Sequence, residues 1–224
     1  VEGAKALEDI ISAKIEIEYI FASEDFSDLD KFPQDKVIIV TEPVMKKLAT
    51  SDSTPKVITV AQQRDEKLSE FKNFSKILLL DGLSDPGNMG TIIRCGVAFG
   101  YEGILLTENC VDIYNPKILR SAAGNFFKIP FANVYFEQLK QNFSDFQFLM
   151  TDLHGKKISE PKKIQLKDRH ILVLGSEASG ISENILKIPM NTIFYYGDIL
   201  EDRDRIDRKS FHGQFLKFGF MLYL

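Results

Sequence analysis

The sequence predicts an α/β fold built on a mostly parallel sheet, and three observations predict it. Short β-type runs alternate with helical patterns from about residue 76 onward, the order that places helices on the faces of a parallel sheet. Two of those runs, Lys76–Leu80 and His170–Leu174, are nearly all apolar, as strands covered on both sides must be. Each then breaks into a glycine-containing loop and a helix start, so a ligand site is expected where strands end, at their carboxyl edge.

The elements before residue 76 form a smaller α/β unit over 1–60. Gly3–Ser12 reads as a short helix. Ile15–Phe21 alternates apolar and polar residues and reads as a strand, and Val37–Val40 and Val57–Val60 are two further β-type runs. Thr41 ahead of Glu42-Pro43 marks a helix start, with Thr as cap and Pro in the first turn, running to about Ala49. Thr50–Pro55 is turn-rich. Residues 61–75 are polar and lack β character, and are read as a linker or short helix. The larger unit, 76–224, carries expected strands at 77–80, 103–106, 147–151 and 171–174. Its expected helices lie at about 89–99, 116–123, 136–141 and 182–187.

Composition narrows the function class. With 44% apolar and 27% charged residues among 224, the chain is that of an ordinary globular protein. No apolar run approaches the roughly 18–20 residues that span a bilayer. The two cysteines, Cys95 and Cys110, form no CxxC pair, and His154, His170 and His212 are scattered. A disulfide framework, a zinc site or any other metal is therefore not expected, and a reducing cytoplasm is. The start of the chain carries no secretory leader pattern. A net charge of −4 does not advertise a nucleic-acid binder, so any case for RNA has to come from motifs.

Two loops carry that case. Leu80-Asp81-Gly82-Leu83-Ser84-Asp85-Pro86-Gly87-Asn88-Met89-Gly90 leads from strand to helix, and Arg94 follows. Asn88 is read as a possible cap. The free N–H groups of the helix start favour an anion, and Arg94, read as facing back toward that loop, could clamp a phosphate with two hydrogen bonds. Taken alone, Arg94 is as readily a solvated surface residue. The loop matches neither G-x-G-x-x-G nor G-x-x-x-x-G-K-[ST], which disfavours a dehydrogenase or other nucleotide-binding α/β enzyme. The second loop is Val173-Leu174-Gly175-Ser176-Glu177-Ala178-Ser179-Gly180-Ile181-Ser182. Its glycines permit close backbone approach, and Glu177 is an acid at the strand end. Alone it reads equally as a helix-entry turn with Ser182 as cap.

Together the loops reach family level. D-P-G-N-x-G-x-x-x-R at 85–94 and L-G-x-E-x-x-G-I-S at 174–182 resemble the first two motifs of the SpoU (TrmH-like) RNA methyltransferases of the SPOUT superfamily. Cys110-Val111-Asp112-Ile113-Tyr114-Asn115-Pro116-Lys117 and Arg120-Ser121-Ala122-Ala123-Gly124 resemble the segment between them. The resemblance is close over about 76–190 and looser over 1–60, which is similar to an L30e-like RNA-binding domain whose opening would precede Val1.

This resemblance implies a SPOUT catalytic domain with a trefoil knot near its C-terminus, a rare exception to unknotted chains. It implies methyl transfer from S-adenosylmethionine to a ribose 2'-OH of tRNA or rRNA by a homodimer, with no metal, DNA or membrane involved. Arg94 would hold the RNA phosphate and steady the developing alkoxide. Asn88 would orient Arg94 or the backbone, and Glu177 would anchor its loop or position substrate. Leu174, Gly175, Gly180, Ile188 and Met190 would meet the cofactor. The third family motif, about S-L-N, is missing after Ile188-Pro189-Met190. There the chain runs through Asn191–Gly197, the mixed-charge stretch Glu201–Lys209, read as a solvated loop, and the aromatic-rich Phe211–Leu224. The departure leaves a second expectation, an RNA-binding relative with impaired catalysis.

Overall fold

The computed structural model describes residues 1–64, 66–157, 166–176, 178–188 and 193–196. Two sheets organise them. The first has the order β2-β1-β3, with β1 Ile17–Ser23, β2 Val37–Val40 and β3 Val57–Ala61. Strand β2 runs parallel to β1, and β3 runs antiparallel to it. Helix α1, Ala4–Ser12, buries Leu7 and Ile10, three apart on one face, against Ile17, Ile20 and Val57. Helix α2, Glu42–Leu48, starts after Thr41 with Pro43 in its first turn and buries Met45.

The second sheet has six parallel strands in the order β6-β5-β4-β8-β7-β9. They are β4 Lys76–Asp81, β5 Gly103–Leu106, β6 Phe131–Asn133, β7 Gln147–Lys157, β8 His170–Gly175 and β9 Ile193–Tyr196. The four strands expected here are present. The three-residue β6 and the edge strand β9 went unread. Helices α3 Pro86–Ala98, α4 Pro116–Ser121, α5 Phe136–Asn142 and α6 Glu183–Leu186 connect them.

Alternation along the strands divides the core into two layers. Leu78, Leu80, Ile104, Leu106, Leu172 and Leu174 face Met89, Ile92 and Ile93 of α3 and Ile118 of α4. Ile77, Leu79, Leu105, Phe148, Ile171 and Val173 face Leu139 of α5 and Ile185 of α6. Burial of each such side chain contributes about 1.5–3 kcal/mol, so a one-residue slip of β4 or β8 would exchange both layers at once.

The linker region is not an open tether. Leu68–Asn73 is a 3-10 turn that buries Phe71. Ahead of it, the Arg64 guanidinium donates to the carbonyls of Phe126, Phe127 and Ile129 at 3.0, 3.3 and 2.8 Å. Phe127 also packs on the first unit's core, and Arg120 donates to Thr50 Oγ1 at 3.1 Å. The segment after α4 is thus held by the small unit and the linker together.

Candidate active site

The site begins at the centre of the large sheet. From β4 the chain moves outward through β5 and β6, while β8, β7 and β9 lie on the other side. Such a reversal of strand order leaves a crevice beyond the carboxyl ends of the two central strands. Here those strands are β4 and β8, in register with Leu80 beside Leu174 and Asp81 beside Gly175. Both glycine loops therefore leave the sheet side by side.

Asp81 joins them. It is 5% exposed, and a buried carboxylate needs partners. Its Oδ2 accepts the Ser182 N–H at 2.6 Å. Its Oδ1 accepts the Thr107 hydroxyl at 3.1 Å, and that hydroxyl accepts the Gly82 N–H at 3.0 Å. Loops after β4, β5 and β8 meet on one side chain. The contact is closed further by the Val111 N–H on the Leu83 carbonyl at 2.8 Å and by Cys110 Sγ on the Leu80 carbonyl at 3.2 Å. Burial pushes the Cys110 thiol up from its usual range, with hydrogen bonds opposing, so this thiol is a structural donor rather than a nucleophile. Sequence reasoning gave Asp81 no role. The available signal was an acid placed directly after an otherwise apolar strand.

The second loop folds back on itself. Ser176 and Gly180 exchange backbone hydrogen bonds of 2.9 and 3.0 Å, and Gly180 has φ +72°, which favours glycine. A Cβ on Gly175 would stand 2.2 Å from the Gly180 carbonyl carbon. Glycine is thus required at 175 by the chain's own return. Leu174 is fully buried in the α3 layer, so at the loop it offers backbone only. Ile188 is buried against Ile185 on the opposite layer. Glu177 and Met190 lie outside the described residues. Ser182 sits at the cap position of α6 without a side-chain cap bond.

The first loop corrects one reading. Asp85, not Asn88, caps α3: its Oδ1 accepts the Asn88 N–H at 2.7 Å, with Pro86 opening the helix. Asn88 is the third helical residue and 7% exposed. Gly90 lets α4 cross closely, since a Cβ there would meet Ser121 Oγ at 1.8 Å. Asn115 caps α4 through the Lys117 N–H at 2.9 Å. Arg94 is exposed and is the ninth residue of α3, about 12 Å along the axis from Pro86. It lies well past the first turns, and six residues separate it from Asn88, a rotation of about 120° between the two side chains. They share a helix but not a face. Among the described residues, Arg64, Arg120 and Arg169 each pair with an acid, and Arg94 pairs with none. Also among the described residues, no group of His, Cys, Asp and Glu is arranged to hold a metal.

The sequence model of the SpoU rRNA Methylase family matches residues 75–194. The chain belongs to the SpoU rRNA methylase family. The family match covers both loops and ends near the point after Met190 where the motifs stop. Among relatives similar to it, the mitochondrial rRNA methyltransferase 3A of Danio rerio is 31% identical over 153 residues, 63% of this chain and 35% of that protein. The 23S rRNA (guanosine(2553)-2'-O)-methyltransferase RlmP of Bacillus subtilis is 25% identical over 193 residues, 84% of this chain and 75% of that protein. The chain thus spans about a third of the zebrafish relative's length.

Among solved structures, the SpoU methyltransferase AviRb of Streptomyces viridochromogenes in complex with AdoMet matches with TM-score 0.82 at 17% identity, covering 100% of this chain and 87% of that one. The AdoMet-bound rRNA methyltransferase of Sinorhizobium meliloti matches with TM-score 0.82 at 22% identity, covering 100% and 84%. These likenesses show that the SpoU chain has the SPOUT α/β fold with its parallel sheet.

Proposed function

We propose that the chain is an S-adenosylmethionine-dependent methyltransferase acting on a ribose 2'-OH of rRNA or tRNA. The observation that carries this reading is the convergence of the 82–90 and 175–182 loops on Asp81, at the carboxyl edge of adjacent central strands. Membership of the SpoU family supports it, as do the 2'-O activity in the name of the Bacillus subtilis relative and the AdoMet complex named for the Streptomyces structure.

The residues present fit such a cofactor by the chemistry they offer. The turn at Ala178–Gly180 is exposed, Gly175 and Gly180 leave the backbone there uncovered by side chains, and apolar Ile188 lies buried after α6. Leu174, Gly175, Gly180, Ile188 and Met190 would hold it. When bound, the cofactor supplies a methyl group activated on a sulfonium.

The chain's own residues do the rest. A ribose hydroxyl is a weak nucleophile at neutral pH, and an arginine stays charged throughout. Arg94, exposed and without an acid partner among the described residues, keeps its donors for an RNA phosphate and stabilises negative charge developing on the nearby ribose oxygen. Asn88, buried in the first turn of α3, orients the backbone of that turn. With Arg94 on another face of the helix, it does not orient the guanidinium directly. Glu177, which lies outside the described residues, keeps the role the family resemblance implies, to anchor its loop or position substrate. Placement of the hydroxyl in line with the methyl is an orientation effect.

Arg94→Ala is expected to lower methylation by about 100-fold or more, the scale of losing one transition-state donor, while the cofactor Kd stays within about twofold. Turnover comparable to wild type on a methylatable rRNA fragment would remove Arg94 from the chemistry.

Three further features belong to the same reading. A trefoil knot is proposed for the C-terminal part, supported by β9 returning beside β7 after β8 has been laid between β7 and β4. An L30e-like RNA-binding role is proposed for 1–60, with 61–75 as its connection to 76–224. A cytoplasmic homodimer is proposed, the compartment supported by the free Cys95 and Cys110. Among the described residues no helix is long and apolar enough to cross a membrane. The charged run Glu201–Lys209 and the aromatic segment Phe211–Leu224 lie outside the described residues.

A second reading is favoured by one observation, the missing S-L-N motif: an RNA-binding relative with impaired catalysis. Titration with labelled S-adenosylmethionine separates them. Micromolar binding supports the enzyme, and RNA binding without cofactor binding supports the alternative.

A further inference from the structure

We propose that Asp81 is the positioning residue that sets the geometry of the cofactor loops. It holds the loop after β8 against the loops after β4 and β5, so that backbone groups meant for the cofactor are already in place. The proposal rests on the methyltransferase reading and deepens it.

Three features of the geometry support this role. Asp81 is the last residue of β4, directly beside Gly175 in register, where the two chains begin to diverge. Its two oxygens are used in opposite directions, one toward Thr107 at 3.1 Å and one toward the Ser182 N–H at 2.6 Å. The partners come from 26 and 101 residues away, so one side chain closes two long excursions of the chain. A charged acceptor is suited to this, because hydrogen bonds to a carboxylate are shorter and stronger than neutral ones.

The tie also limits where the second loop can sit. Ser176 and Gly180 already bond to each other, so the loop from 176 to 180 is a closed turn that moves as a unit. It is attached at one end through Gly175 in β8 and at the other through the Ser182 N–H on Asp81. Ile181, buried with Ile185 and Val173, anchors the chain beside that attachment, so releasing the bond loosens the turn rather than detaching it. The spacing between the two loops, where a Cβ on Gly82 would lie 3.9 Å from Ser176 Cβ, would then no longer be fixed. Thr107 acts in the same sense for the third loop, its hydroxyl being donor to Asp81 and acceptor from Gly82.

The test uses Asp81→Asn and Ser182→Pro, singly and together, in the full chain. Asn keeps the shape of Asp81 and removes its charge. Ser182 has φ −65° and ψ 150°, values proline adopts, so Ser182→Pro removes the N–H donor without a change of backbone conformation, while its ring Cδ takes the place of that hydrogen and displaces the Asp81 carboxylate 2.6 Å away. Each single variant is expected to raise the Kd for S-adenosylmethionine about tenfold, the loss of one charge-assisted bond. The double variant is expected to be no weaker than the worse single one, because Asp81→Asn weakens and Ser182→Pro removes the same contact. RNA affinity by fluorescence anisotropy stays within about twofold of wild type, a split that general loosening of the fold would not produce.

A cofactor-free readout accompanies it: amide hydrogen exchange at Gly82 and at 178–182 is faster in Asp81→Asn, and exchange in β5 and α5 is unchanged. Cofactor affinity within twofold of wild type in both single variants overturns the proposal. So do multiplicative losses in the double variant, or unchanged exchange at Gly82 and Ser182. If Asp81→Asn does not fold, Thr107→Val carries the same measurements, and Ser182→Pro carries the cofactor affinity and the exchange at Gly82. A wild-type chain that binds no cofactor sinks the methyltransferase reading instead, while the exchange data still decide whether Asp81 fixes the loops.

Discussion

The two ends of the central sheet are built from different materials. At the carboxyl end, strands run into glycine turns cross-linked by Asp81, Thr107 and Ser182. At the amino end, the strands are sealed with rings. Phe71 packs on Phe74, Tyr101 meets His170 edge to face, and the Arg169 guanidinium lies over Phe146 at 4.2 Å. The largest shift in ionisation that burial causes among the described residues is at the sealed end. Burial pushes the Tyr101 phenol far up and the His170 imidazole down. Shifted ionisation commonly marks a functional site, yet here it marks packing. The proposed site lies about 16 Å away along β8, where the recognisable signal is the convergence of loops.

One glycine from each end breaks that comparison most sharply. Gly175→Ala would drive a Cβ into the Gly180 backbone at 2.2 Å, and backbone cannot step aside as a side chain can. The loop must move, and a displacement of about 1 Å in such a site costs on the order of 100-fold in rate, read as methylation turnover, with cofactor Kd raised alongside in calorimetry. Gly103→Ala at the amino end would meet ring atoms of Phe71 and Phe74 at 2.7–2.9 Å. It should lower stability by about 1–3 kcal/mol through overpacking and leave cofactor affinity unchanged. Equal effects of the two variants on Kd would abolish the distinction between the ends.

Two arginines sharpen it next. Arg64→Ala removes the donors for three carbonyls of the segment after α4. Its guanidinium is mostly buried and burial lowers its basicity, so unfolding in urea should come earlier by about 1.5–3 kcal/mol with the slope unchanged. Arg94→Ala, on an exposed face of α3, should shift stability by less than about 0.5 kcal/mol while methylation fails. A stability loss at Arg94 that matches the loss at Arg64 would make it a structural residue.

How much of this was legible in the sequence follows from how local each cause is. The β4 and β8 strands were readable because continuous apolar runs such as Ile77–Leu80 and Ile171–Leu174 are buried on both faces. Strand β6 has three residues after Pro130, too short for any period to show. The α3 cap was locally written, since Asp85 followed by Pro86 is a helix-start pair, whereas Asn88, read as a possible cap, is the third residue of the helix. For Asp81 only the position was legible locally, an acid closing an apolar strand; its role was not, because its partners come from loops 26 and 101 residues away. The glycine at 175 was marked by the motif, but its steric reason, the return of Gly180, belongs to the folded loop alone.

The smallest effect concerns His170, 3% exposed at the start of β8. Its imidazole is held below the usual range chiefly by burial. The Lys167 carbonyl opposes this, and the charge of Lys76 adds to it. Between its lowered folded value and about 6.5 in the unfolded chain, the unfolded state binds the extra proton. Stability is then fully present above about pH 6.5 and is lost as pH falls toward the folded value. His170→Asn keeps a donor for the Lys167 carbonyl, which His170 Nδ1 approaches at 3.1 Å, but cannot take up the proton. Urea midpoints should fall less between pH 7 and pH 5.5 for the variant than for wild type, whereas parallel slopes would mean that burial of this ring does not govern the pH response. Because the ring stands at the sealed end, the same substitution should leave the pH dependence of cofactor binding unchanged, and a change there would couple the two ends of the sheet through β8.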